Sequence, residues 1–159
     1  MTIGSRQYSE DLATLRINVT TMGDLLLSAA DRHPDKLALV FPESRHTYAE
    51  LAARALRRAR SLQALGVKPR DHVGILMHTC PEFVELYFAI AMCGAVIVPI
   101  NARYKAAEIG YVIENADLVT VLTTAAIAEQ VNFVERLESA LPGLVTQPDP
   151  RRVALAVAP

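Results

Sequence analysis

The chain reads as an α/β fold: a mostly parallel sheet with flanking helices and one small β-hairpin. Three observations predict it. Residues 70–101 run turn, short apolar stretch, apolar helix, then a β-branched stretch. At that spacing, strand, helix and strand form a right-handed crossover between parallel strands. A further alternation of helix, strand and helix follows to residue 141. The 159 residues, 52% of them hydrophobic, supply one domain with a real core.

Residues 1–19 are polar and mixed in charge and form an N-terminal arm; the domain occupies 20–145. Thr21 suits a helix start because its hydroxyl oxygen can accept from backbone N–H groups in the first turn. The helix over 22–32 has the apolar stripe Leu25, Leu26, Ala29 and Ala30, and His33-Pro34-Asp35 ends it. Residues 37–41 and 45–47 form a hairpin around a three-residue turn at 42–44. Thr47 and Glu50 make a capping box. The helix it opens runs over 48–65 and stops at Gly66, with Tyr48, Leu51, Ala52, Ala55, Ala59 and Leu62 on one face. Arg54, Arg57 and Arg58 fall opposite, as a solvated face rather than a patch for an acidic partner.

Residues 73–77 form a buried strand. Pro81 suits the first helical turn, and Glu82 and Glu85 follow where negative charge favours the helix start. Residues 86–93 are apolar nearly all round, so that helix is buried on more than one side. Gly94 is its left-handed stop, and 95–100 is a second buried strand. A helix over 106–115 buries Ile109, Val112 and Ile113, and 118–122 is a third buried strand. A last helix begins at Thr124, carries Ile127, Val131, Val134, Leu137 and Leu141 inward, and closes at Pro142-Gly143. Residues 146–159 are a divergent, irregular tail, in which 153–157 is the one candidate strand.

Composition narrows the function. A net charge of -1 gives no reason to expect nucleic acid as a partner. Cys80 and Cys93 sit at opposite ends of one helix with no zinc spacing, which suits reduced thiols in the cytoplasm. The N-terminus has no apolar signal-peptide core. No apolar run reaches the roughly 18 residues of a membrane span.

Two stretches carry a family resemblance. Gly94-Ala95-Val96-Ile97-Val98-Pro99-Ile100-Asn101, preceded by Pro81-Glu82-Phe83, resembles the second core motif of the adenylate-forming, AMP-binding superfamily. Thr47-Tyr48-Ala49-Glu50-Leu51 resembles the first. Their order and separation fit, and the likeness runs from about residue 20 to about 143. The wording is most similar to bacterial fatty-acyl-CoA synthetases (fatty-acid–CoA ligases). The resemblance implies the N-terminal portion of the large domain of such an enzyme. It implies ATP, magnesium and coenzyme A for the complete ligase, with a fatty or related carboxylic acid as substrate. The two motifs present are implied to be structural. The remainder of the ligase, which would carry the phosphate loop and catalytic residues, is the implied partner. This segment alone is expected to bind none of those cofactors and to be catalytically incompetent. The tail suggests a premature end, such as a frameshift, or a natural divergent terminus. A second reading is a non-enzymatic binding or assembly module, or half of a split ligase.

The sequence departs from the family at Thr79 and Cys80, where Asn and Ser are common, and at Lys105, where a capping Thr is common. A lost cap costs about 1 kcal/mol, so the helix after Lys105 is expected to fray.

No residue is assigned here as catalytic, cofactor-binding or metal-ligating. The seven glycines are scattered, without a phosphate-cradling loop. Thr123-Thr124 is the nearest approach and reads as a helix cap. His33, His46 and His72 sit at turns or a strand start, whereas His78 lies two residues before Cys80. A zinc site needs three or four ligands, and a Cys–His nucleophile needs an orienting group and an oxyanion hole. Neither set is in view. Glu82 and Glu85 are explained by helix-start electrostatics rather than as an acid–base pair. In open α/β sheets ligands bind at the carboxyl ends of the strands. That makes His78-Thr79-Cys80, Asn101-Ala102-Arg103 and Thr123-Thr124 the loops to watch.

Overall fold

Helix α1 (Met22–Arg32) opens at Thr21, whose Oγ1 accepts from the Asp24 N–H at 3.1 Å. The computed structural model describes residues 21–126 and 131–146. The arm, Ile127 and the tail strand expected at 153–157 lie outside the described residues. Helix α1 buries Gly23 and Leu26, while Leu25, expected inside, is 41% exposed. The cause is Gly23. A Cβ there would lie 3.0 Å from Met92 Cγ, so the bare glycine lets the next helix but one come close and turns Leu25 outward.

Strands β1 (Leu37–Phe41) and β2 (Ser44–Thr47) form the antiparallel hairpin. Ser44 already pairs with Phe41, so the loop is two residues rather than three. Helix α2 (Tyr48–Ala64) carries the capping box as read. The Thr47 N–H donates to Glu50 Oε2 at 2.9 Å, and the Glu50 N–H donates to Thr47 Oγ1 at 3.3 Å. It buries Leu51, Ala52, Ala55, Ala59 and Leu62, and the chain leaves it through Gly66 at φ 98°.

Strand β3 (His72–Leu76), helix α3 (Pro81–Met92) and strand β4 (Val96–Pro99) make the parallel crossover. Gly94 has φ 69°, as its place between helix and strand requires. A Cβ there would meet Pro69 Cβ at an ordinary 3.4 Å, so the demand for glycine is set by the backbone, not by space. Helix α4 (Ala106–Asn115) leads to β5 (Leu118–Thr123), which also pairs in parallel with β3.

The sheet order is β4-β3-β5. Only β3 is buried from Val73 to Leu76; β4 exposes Val96 and Pro99, and β5 exposes Val119 at 61%. The expectation of three buried strands therefore holds for one. Apolar composition does not separate a central strand from an edge, whereas Pro99, with no N–H to give a neighbour, marks the edge. Alternate β3 side chains feed two cores. Val73 and Ile75 join Ala59, Leu62, Ala89 and Ile90 on one face; Leu76 joins Ile100, Ile109, Ile113, Phe133 and Leu137 on the other.

Helix α5 (Phe133–Ala140) begins at Asn132, whose Oδ1 accepts from the Val134 and Glu135 N–H groups at 3.1 and 3.2 Å. The expected start at Thr124 is thus corrected. Thr124 Oγ1 instead accepts from the Ala126 N–H in a turn. The Asn132 cap resets the helical phase, so Phe133 rather than Val134 is the fully buried residue. Pro142 follows the C-cap Leu141 and stops this helix as expected, whereas Gly143 is not part of the stop. The helix ends at Ala140, and Gly143 opens the short α6 (Gly143–Thr146). At α4, Lys105 has no acceptor to offer the helix start. The Glu108 carboxylate still accepts from the Lys105 N–H at 2.9 Å, so half of the capping box survives.

Candidate functional site at the carboxyl ends of the parallel strands

The loops that follow β3, β4 and β5 converge on His78. It borders three open clefts of about 370, 370 and 470 Å3. The sequence reading chose these loops by position, and the structure brings them together. The imidazole stacks on Phe133, with ring centroids 6.3 Å apart and planes at 16°. Its Nδ1 is buried with no hydrogen-bond partner among the described residues. Thr123 Oγ1 donates to the Leu76 carbonyl at 2.8 Å, tying β5 to the end of β3. Thr123-Thr124 is therefore a strand tie and a turn, not a helix cap.

Cys80 is the residue before α3, and its side chain makes no capping bond. Its Sγ lies 4.0 Å from Met77 Sδ. Burial pushes the thiol above the ordinary cysteine value, the Phe83 amide opposes, and the Glu82 carboxylate adds to the rise. A nucleophilic cysteine needs the opposite, a lowered pKa. Among the described residues no group of three His, Cys, Asp or Glu side chains is placed to hold a metal ion.

Glu85 overturns two sequence expectations. It is 1% exposed and accepts from Arg54 Nη1 and Arg58 Nε, each at 3.2 Å. Arg54 and Arg58 are thus not a purely solvated face, and Glu85 does not serve mainly the helix start. Helices α2 and α3 pack along each other, so two arginines one turn apart reach a single carboxylate across the seam. Arg57 does face solvent, and Glu82 is exposed in the first turn of α3. The missed signal was an acid past the first turn of a largely apolar helix, which needs a charged partner when buried.

Sequence reasoning also missed Arg136. Its Nη1 donates to the carbonyls of Ala102 and Tyr104 at 3.0 and 3.1 Å and pins the loop after β4. In the same loop Asn101 Oδ1 accepts from the Arg103 N–H at 2.9 Å.

The cations bordering the clefts, among the described residues, are Arg58, Arg103 and Arg136, with no lysine and no glycine. Arg58 already faces Glu85. These residues do not fit a magnesium–triphosphate site, which calls for a backbone cradle, a lysine and oxygen donors for the metal.

Residues 26–156 match the model of the family described as AMP-binding enzyme. The chain belongs to that family. The match extends past Gly143, where the likeness read from the two motifs ended. The 3-oxocholest-4-en-26-oate–CoA ligase of Rhodococcus rhodochrous is 34% identical over 110 residues, covering 69% of this chain and 20% of that protein. The acyl-CoA ligase sidI of Aspergillus fumigatus is 34% identical over 109 residues, covering 67% and 18%. Among solved structures, a fatty acyl CoA synthetase of Mycobacterium tuberculosis superposes with TM-score 0.68 at 31% identity, over 84% of this chain and 25% of that one. The inhibitor-bound N-terminal domain of FACL13 from the same organism gives 0.67 at 32%, over 84% and 31%. The chain thus spans a fifth or less of these two curated relatives. Its parallel sheet with helices on both faces is the N-terminal fold of AMP-binding ligases. Among the described residues no helix is long and apolar enough to cross a membrane.

Proposed function

We propose that this chain is the N-terminal part of the large domain of a cytoplasmic, ATP-dependent acyl-CoA synthetase, and that it has no ligase activity alone. The complete enzyme joins a fatty or related carboxylic acid to coenzyme A. In it, ATP supplies the adenylate that activates the carboxylate. The observation that supports this reading is the pairing of a family fold with a bare ligand face. Three carboxyl-end loops open into clefts around His78, and the residues there do not make a triphosphate site. The chain's own contribution is a scaffold: β3 and its two neighbours hold the loops, Arg136 fixes the one after β4, and Thr123 fixes the one after β5. The remainder of the ligase would bring the phosphate loop and close the clefts. The test is thioester formation. The purified chain, given ATP, magnesium, coenzyme A and fatty acids of several lengths, is expected to consume no coenzyme A thiol. Consumption that requires both ATP and a fatty acid would overturn the proposal.

A further inference from the structure

One stretch away from the clefts carries charge of a single sign. Residues 51–70 hold Arg54, Arg57, Arg58, Arg60, Lys68 and Arg70 and no acid. Six positive charges against a net charge of -1 for the whole chain leave the other residues at net -7. The segments outside the described residues do not cancel that excess. The arm at 1–20 holds two acids and two arginines, 127–130 holds Glu129 alone, and 147–159 holds one acid and two arginines. Between them they carry no net charge.

Most of the excess lies on α2. Its inner side is Leu51, Ala55, Ala59 and Leu62, and its outer side exposes Ala53, Leu56, Arg57, Arg60, Ser61 and Ala64. The acids at its ends and across the seam are engaged. Glu50 accepts from the Thr47 N–H, and Asp71 Oδ2 accepts from the Lys68 N–H at 2.8 Å. Glu85 is one carboxylate shared by Arg54 and Arg58, so one positive charge of that trio is left over. Arg57 and Arg60 form no ion pair among the described residues. The sequence reading treats such arginines as a solvated face, and the structure adds apolar side chains among them. Leu56 is 38% and Leu65 58% exposed. Leu56 stands one helical turn before Arg60, and Ala53 one turn before Arg57; Leu65 flanks Ser61 on the other margin.

We propose that this outer face of α2 docks on an anionic lipid bilayer, with the helix lying along the headgroups. The guanidinium groups meet lipid phosphates, while their methylene stems and the exposed leucines and alanines enter the headgroup boundary. A nucleic acid or an acidic peptide would satisfy the arginines and leave the leucines in water. Residues 51–70 also supply no aromatic ring to stack on a base. The inference goes beyond the ligase reading, because it concerns where the chain sits and needs no turnover.

The test is sedimentation of the full chain with vesicles of phosphatidylcholine alone and of phosphatidylcholine mixed with phosphatidylglycerol. Binding is expected to the mixed vesicles only, and to weaken as salt screens their surface potential. Each cation at such a surface contributes a factor of about five, so the double variant Arg57→Gln, Arg60→Gln is expected to bind about 25-fold more weakly. Arg57→Lys, Arg60→Lys keeps the charge and is expected to keep most of the binding, which separates lost charge from lost fold. Arg103→Gln, Lys105→Gln removes the same charge from exposed positions elsewhere and is expected to stay within about twofold of the parent. Leu56→Ser, Leu65→Ser is expected to weaken vesicle binding roughly tenfold, through lost apolar contact. Absence of binding to the mixed vesicles would overturn the proposal. So would equal losses in the two glutamine pairs, or a lysine pair as weak as Arg57→Gln, Arg60→Gln. A duplex DNA oligonucleotide or polyglutamate that displaces the vesicles, with the leucine variant binding like the parent, would assign the face to a soluble polyanion and overturn it too.

Discussion

Removing Glu85 and removing its arginines should not cost the same. The carboxylate is 1% exposed, whereas the side chains of Arg54 and Arg58 are 42% and 48% exposed. Glu85→Gln keeps the shape and leaves two arginines that water can reach. The loss is then two charge-assisted bonds partly replaced by solvent, about 1–2 kcal/mol. The double variant Arg54→Met, Arg58→Met is the harsher change. It strands a charged carboxylate inside the α2–α3 seam, and an unpaired buried charge costs about 3–5 kcal/mol. With an m-value of about 2 kcal/mol/M, the urea midpoint should fall by roughly 2 M in the arginine double variant and by less than 1 M in Glu85→Gln. Adding Glu85→Leu to the double variant should restore much of the loss, since an apolar replacement of a buried ion pair is often neutral. Equilibrium urea unfolding followed by circular dichroism reads all three. A double variant as stable as Glu85→Gln would show that the carboxylate finds other partners, and would refute the reasoning.

Gly74→Val should destabilise by about 1–3 kcal/mol, the usual cost of overpacking a core. Even a Cβ there would lie 2.8 Å from Leu118 Cδ1 and 3.1 Å from Ile100 Cδ1, both on buried residues, and thermal unfolding is the check. Lys105→Thr should add about 1 kcal/mol by completing the box that Glu108 already half makes, read as a higher urea midpoint. Alkylation of Cys80 by iodoacetamide should lag behind a free cysteine at pH 8. A raised thiol pKa lowers the thiolate fraction at any pH below it, so the rate profile should turn up only above the ordinary thiol value.

Much of this fold was legible because local signals agreed with tertiary ones. Thr47 and Glu50 named a helix start from four residues, and Pro81 with Gly94 bracketed another helix by backbone chemistry alone. The failures share one cause: they depended on which element lies beside which. Gly23 rotates α1 through contact with Met92, and nothing in residues 22–32 reports that. An apolar run at 95–100 or 118–122 looks the same whether its neighbours number one or two. Arg54 and Arg58 read as solvated because their partner lies about thirty positions on, in another helix. That the three carboxyl-end loops lie together was legible from the topology, since parallel strands put their carboxyl ends on one side. Arg136 was missed because it acts through backbone carbonyls, which leave no trace in side-chain patterns. Asn132 was overlooked because a near-heptad apolar spacing favoured one continuous helix over a fresh start.

The central claim is that a family fold without the triphosphate machinery does no adenylation. Pyrophosphate release measures this most directly, because it reports the first chemical step without requiring coenzyme A. The chain would be given Mg–ATP and fatty acids of several chain lengths, beside an intact acyl-CoA synthetase as control. Losing even one donor to a developing charge costs about 10²–10³-fold in such sites. With no such cradle among the described residues, release should equal the buffer rate at every chain length. Release that depends on fatty acid, exceeds the buffer rate and vanishes in the double variant His78→Ala, Cys80→Ala would contradict the account and make the loop after β3 catalytic.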